Sequence, residues 1–196
     1  MARDILLVVE DELSGVVLQK LVEECGGGLN VERVFQMRGY GKIQTGIQRF
    51  KNASNAIPHI VLTDLDARDC APSMLNDWGV VANTNNMLFR VAVREVEAWL
   101  LADREGIAEY LNLPLAKIPL FPEQEADPKQ SLLSLVRKCK KRRLVMELVP
   151  PPGSSISIGP LYNIRLSECV RTIWNLERAA VNSDSLSRAI NRISSF

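Results

Sequence analysis

Two short apolar runs constrain this chain more than any other feature. Ile5-Leu6-Leu7-Val8-Val9 ends at Glu10, and His59-Ile60-Val61-Leu62-Thr63 ends at Asp64-Leu65-Asp66. A membrane-spanning helix needs about 20 apolar residues, so neither run can cross a bilayer. Both are continuous, where a half-exposed strand would alternate, and this is the pattern of strands buried on two faces in a parallel sheet. Between them, Val17, Leu18, Leu21 and Val22 fall at helical spacing from about Ser14 to Cys25, and Gly26-Gly27-Gly28 stops that helix. Val31 to Met37 alternates as a second strand. After Gly39-Tyr40-Gly41 an amphipathic segment continues to about Asn55, and Pro58 ends it. A short helix near Ser73 to Trp78 and a fourth strand over Met87 to Val93 complete the series.

Strands alternating with helices predict an α/β fold: a mostly parallel, Rossmann-like sheet with helices on both faces. Ligands in such sheets collect at the carboxyl ends of the strands. Glu10, Asp64 and Asp66 stand at those ends, as does Arg94-Glu95-Val96-Glu97, so the strand-end rule brings them together. Carboxylates aimed at one point repel one another unless cations neutralise them. Hard oxygen ligands suit Mg²⁺ or Mn²⁺. The competing structural reading has Asp64 and Asp66 capping a loop, Glu10 solvated at a strand end, and Glu95 and Glu97 favouring the positive end of a helix. Asp11, Glu12 and Asp69 read as solvated or capping residues.

From Glu95 the pattern turns helical, with Val96, Trp99, Leu100, Ile107 and Leu111 on one apolar face up to Pro114. Residues 1–113 are expected to form the α/β domain, and 114–196 a mainly helical extension packed on the same core. In that extension one helix is expected from near Pro128 through Leu132, Leu133 and Val136 into Arg137-Lys138-Cys139-Lys140-Lys141-Arg142-Arg143. Pro150 to Ser155 reads as a linker, Ser167 to Ala180 as a single helix, and Ser183 to Ile190 as the start of another. Trp99 and Trp174 read as core residues.

Composition narrows the chemistry. His59 is the only histidine, which removes Ser-His-Asp triads, Cys/His zinc sites and histidine acid–base catalysis. Cys25, Cys70, Cys139 and Cys169 lie at least 30 residues apart and form no Cys-x-x-Cys motif. A reduced cytoplasm is the expected location, with no signal peptide and no membrane span. The formal net charge of +1 means that affinity for nucleic acid must come from a local basic patch. Arg137, Lys138, Lys140, Lys141, Arg142 and Arg143 are the candidates for phosphate binding, with a solvated face as the alternative. Lys129 is a separate candidate for neutralising transition-state charge. Gly39-Tyr40-Gly41-Lys42 reads as a phosphate-approaching loop or simply a turn.

Val-Val-Glu10 closing the first strand, an α-β-α segment with a glycine turn, and Val-Leu-Thr-Asp64-Leu-Asp66 closing the third strand together resemble the toprim domain, over roughly residues 4 to 100. That domain is shared by topoisomerases, bacterial primases, recombination-repair proteins and OLD-family nucleases. The segment Val93-Arg94-Glu95-Val96-Glu97-Ala98-Trp99-Leu100-Leu101-Ala102-Asp103 is similar to one in small stand-alone bacterial toprim-like proteins associated with defence against phage and other mobile elements. The resemblance implies a nuclease in which Glu10 acts as general acid or base and Asp64 and Asp66 hold Mg²⁺. It also makes Glu95 a further catalytic and metal-binding candidate, Glu97 a candidate for a second metal, and Arg94 a phosphate contact. No P-loop and no topoisomerase cleavage domain are present, so the protein either cuts alone or works with a separate ATPase partner. Two alternatives remain: a two-component receiver, whose acidic pocket the first and third strands superficially resemble, and a catalytically silent toprim scaffold.

Overall fold

The four expected strands become β1 (Arg3–Val9), β2 (Leu29–Gln36), β3 (His59–Asp64) and β4 (Met87–Ala92). They form one sheet in the order β2-β1-β3-β4 with every pairing parallel, as the βαβ alternation requires. The computed structural model describes residues 2–80 and 86–196. Successive side chains alternate between the two faces of the sheet. Ile5, Leu7, Val9, Ile60, Leu62 and Leu88 enter one apolar cluster, while Val8, Val61 and Phe89 enter the other.

The two faces are covered unequally. Helices α2 (Tyr40–Ala53) and α3 (Ala71–Asp77) close the smaller cluster through Ile43, Ile47, Phe50 and Met74. On the opposite face lies α1 (Glu12–Cys25), capped by Asp11, whose carboxylate accepts the Ser14 N–H at 2.9 Å. Against α1 pack α4 (Val96–Ala102), α8 (Tyr162–Thr172) and α10 (Asp184–Ser194), and α5 (Arg104–Leu111), α6 (Pro128–Lys138), α7 (Arg142–Leu148) and α9 (Leu176–Asn182) join the same side through these helices. The larger cluster runs from Ile5 to Ile193, so the C-terminal helices share the apolar core of the sheet. Among the described residues no helix is long and apolar enough to cross a membrane.

Three helices expected to be continuous are broken. The segment after Glu95 divides at Asp103, which ends α4 and caps α5 by accepting the Gly106 N–H at 3.1 Å. The segment expected over Ser167 to Ala180 begins earlier, at Tyr162, and divides where Asn175 caps α9. These two breaks are one junction. Asp103 is fully buried and accepts from Arg178 Nε at 2.6 Å and from the Asn175 N–H at 2.7 Å. A buried carboxylate needs such partners, and continuous helices would have no backbone donors free to supply them. The third break falls in the basic run. Helix α6 ends at Lys138, Cys139 turns into the protein with an extended backbone, and α7 starts at Arg142. The six cations therefore lie across two short helices and a bend, not along one helical stripe.

Candidate metal centre

The carboxyl edge of the sheet is where β1, β3 and the segment after β4 end, and each delivers an acid there. Glu10 follows β1 directly. Its carboxylate accepts the hydroxyl of Thr63 in a very short hydrogen bond, and the backbone N–H of Asp64 at 3.0 Å. Burial raises its pKa; the two donors act against that, and Asp66 and Asp11 reinforce it. Asp64, the last residue of β3, accepts the N–H of Val96 at the first turn of α4, at 3.0 Å. Burial, then the negative charges of Glu97, Glu10 and Asp11, hold its pKa well above the aspartate range, with Lys129 opposing.

Asp66 lies on the loop beyond β3 with φ at +54°, a left-handed conformation that aspartate tolerates better than most residues. Its N–H donates to Arg94 O at 2.8 Å, and its carboxylate lies 3.6 Å from Arg68 Nη1. Arg94 returns the contact. Its Nη1 donates to Asp66 O at 3.3 Å and to Arg68 O at 2.8 Å, so this group ties the β3 loop to the β4 loop. The Val93–Arg94 peptide bond is cis.

Glu95 and Glu97 flank the start of α4 and share one cation. Lys129 Nζ lies 3.5 Å from each carboxylate, and the Lys129 backbone N–H donates to Glu95 at 3.0 Å. Glu97 is buried and also accepts the phenol of Tyr162 at 2.9 Å. Its pKa is pushed up to about 7 by burial, with Lys129 opposing and Glu95 adding to the rise. Burial lowers the pKa of Lys129, but Glu97, Glu95, Asp64 and Asp11 together outweigh it and leave the ammonium firmly charged.

Glu10, Asp64, Glu95 and Glu97 are thus drawn into one electrostatic cluster, with Asp66 at its rim. Among the described residues no group of three or more His, Cys, Asp or Glu side chains stands arranged to hold a metal ion. Each carboxylate is turned instead onto an N–H, a hydroxyl, the Lys129 ammonium or, for Asp66, the Arg68 guanidinium. In kind, the donors suit a hard divalent cation, since all are carboxylate oxygens; the raised pKa values of Glu10, Asp64 and Glu97 come first from burial, which disfavours their charged forms.

The basic run stands apart. Arg137, Lys138, Lys140, Lys141, Arg142 and Arg143 are all exposed. Lys129 and Lys138 occupy opposite ends of α6, about 14 Å apart at 1.5 Å per residue. Lys141 Nζ donates to Tyr110 O at 2.6 Å, and Arg143 pairs with Glu147 at 2.8 Å. Thr63 and Tyr162 are site residues that the sequence reading does not single out. Thr63 was accessible to it, because it immediately precedes Asp64 in the same strand. Tyr162 was not, since nothing local links a tyrosine at the start of α8 to Glu97.

No protein-family model matches the chain, and no curated protein shows significant sequence similarity to it. Among solved structures it aligns with the C-terminal region of the Burkholderia pseudomallei OLD protein at 16% identity, covering 100% of this chain and 98% of that chain, with a TM-score of 0.44.

Proposed function

We propose that this protein hydrolyses phosphodiester bonds in nucleic acid with the help of Mg²⁺ or Mn²⁺. One observation carries the reading: acids from three separate strand ends crowd one edge of the sheet, close enough that Glu97 and Glu10 both bear on Asp64. The toprim resemblance of the sequence points the same way. Glu10, Asp64, Asp66 and Glu95, with Glu97, are the residues that would hold one or two ions. A bound divalent ion would supply an activated water and neutralise charge on the phosphoryl oxygens.

The chain's own groups have distinct tasks in this reading. Glu10 is fixed by Thr63 and the Asp64 N–H, and its raised pKa suits a group that takes and returns a proton. Lys129 is a charged donor beside the acids, placed to neutralise negative charge once substrate displaces part of its present contacts. Arg94 and the exposed cations Arg137 to Arg143 would meet the backbone phosphates. A cytoplasmic role in defence against mobile elements, with or without a separate ATPase partner, is the setting that this reading favours.

The test is cleavage of supercoiled plasmid, single-stranded DNA and tRNA in Mg²⁺ or Mn²⁺. Asp64→Ala and Glu10→Gln are each expected to lower the rate by roughly 100-fold or more. Cleavage that persists in both variants rejects the site.

A further inference from the structure

A group of side chains next to the carboxylates has no part in the chemistry described so far. Tyr40 opens α2, Trp78 caps the end of α3, and Arg68 lies on the loop just past Asp66. The two rings are stacked, with centroids 6.5 Å apart and planes within 15°. The Arg68 guanidinium lies over both, 4.5 Å from the Tyr40 centroid and 5.6 Å from that of Trp78. Trp78 in turn sits edge-on against the fully buried Phe89, at 5.9 Å. The cluster is therefore anchored in the core at one end, while at the other Tyr40 remains 43% exposed.

Its position is fixed relative to the acids. The Met37 N–H donates to Val9 O at 2.8 Å and the Arg38 N–H to Glu10 O at 2.7 Å, tying the segment that leads into Tyr40 to the end of β1. Arg38 at φ +57° and Gly39 at φ +113° make the turn that starts α2 immediately afterwards. On the other side, Arg68 Nη1 is 3.6 Å from the Asp66 carboxylate. The aromatic cluster thus borders Glu10 through the backbone and Asp66 through an ion pair. Arg38 and Lys42, both exposed, flank Tyr40 in the same segment.

A flat π surface with a guanidinium and flanking cations matches one class of ligand, a nucleobase carried on a phosphate backbone. Stacking on Tyr, Trp or Arg tolerates any sequence, because every base has a π-face, and cations beside it track the backbone. In a duplex those faces are covered by neighbouring base pairs, whereas an unpaired base offers them freely. We propose that Tyr40, Arg68 and Trp78 form a base-stacking platform, and that the substrate of the adjacent carboxylate site is single-stranded nucleic acid. This rests on the nucleic-acid reading of that site and adds the form of the substrate.

The experiment is a binding titration in EDTA, so that nothing is cut, with a labelled 16-nucleotide single strand and a hairpin duplex carrying the same number of phosphates. Tyr40→Ala is expected to weaken single-strand binding by about tenfold, with Tyr40→Phe restoring it and hairpin binding changed by less than about twofold. Trp99 and Trp174 are 0% and 1% exposed, so a bound base can reach only Trp78. Single-strand binding should accordingly quench tryptophan emission, and Trp78→Phe should abolish that quenching. A Tyr40→Ala protein that melts like wild type yet binds the single strand undiminished, or loses single strand and hairpin equally, overturns the platform while leaving the nuclease reading intact. A wild-type protein that binds neither nucleic acid also overturns the platform, and the nuclease reading is then decided separately by the cleavage assay in Mg²⁺ or Mn²⁺.

Discussion

Four of the five carboxylates at the sheet edge fall into two pairs, with Asp66 apart at the rim beside Arg68, and the pairs are neutralised by different means. Glu10 and Asp64 are held by groups without formal charge: the Thr63 hydroxyl and the N–H groups of Asp64 and Val96. Glu95 and Glu97 are held by a formal charge, the Lys129 ammonium, with Tyr162 assisting Glu97. Dipoles fixed in the backbone stay when a cation or a phosphate arrives, whereas a lysine on a four-carbon stem can swing aside. The first pair is therefore built into the sheet. The second depends on a helix that enters from the C-terminal half of the chain, and its geometry is open to rearrangement.

The largest test of this contrast is Lys129→Met, which keeps the stem and removes the charge. Leaving the buried Glu97 without its counter-charge should destabilise the protein by about 3 kcal/mol at pH 8, read from urea unfolding. The loss should shrink at pH 5.5, where a protonated Glu97 needs no partner; equal losses at both pH values would mean that the ammonium contributes packing and not charge.

Of similar size is the pH dependence of the wild type. Glu97 holds its proton up to about pH 7 when folded, against 4.5 for an ordinary glutamate. Between those values the folded state binds more protons than the unfolded chain, so stability should fall as pH rises through that window, by roughly 3 kcal/mol. Glu97→Gln should flatten much of that slope. Glu10 and Asp64 shift in the same direction and would leave a remainder. A slope unchanged by Glu97→Gln would place the titration in the other pair.

The smallest effect expected is that of Thr63→Val, which deletes one neutral donor at nearly constant shape. It should cost roughly 1.5 kcal/mol at neutral pH and raise the pKa of Glu10. Carboxylate infrared bands of wild type and variant would check the second part.

Much of the fold was legible because the relevant signals are local. Ile5 to Val9 and Ile60 to Thr63 show their double-sided burial as unbroken apolar runs, and Glu10 and Asp64 announce themselves by ending those runs. The helix breaks were hidden because the apolar periodicity continues across Asp103 and Asn175; the cause of each break lies about 70 residues away in the other. Lys129 was legible as a lone cation behind Pro128, but not its partners, since Glu95 and Glu97 are brought to it only by the packing of α6 against α4. Tyr40 and Trp78 read separately as a turn residue and a helix end, and their stacking depends on the registry of two helices that cover the same sheet face.

The reciprocal bonds of Asp66 and Arg94 have a mechanical consequence. The Asp66 N–H bonds to Arg94 O while the Arg94 guanidinium grips the carbonyls of Asp66 and Arg68, so two loops from neighbouring strands are riveted at more than one point. The Asp66 loop and the segment leading into α4 are therefore held in one fixed relation at the sheet edge, so that the distance from Asp66 to Glu95 is set by backbone bonds and not by side-chain packing alone.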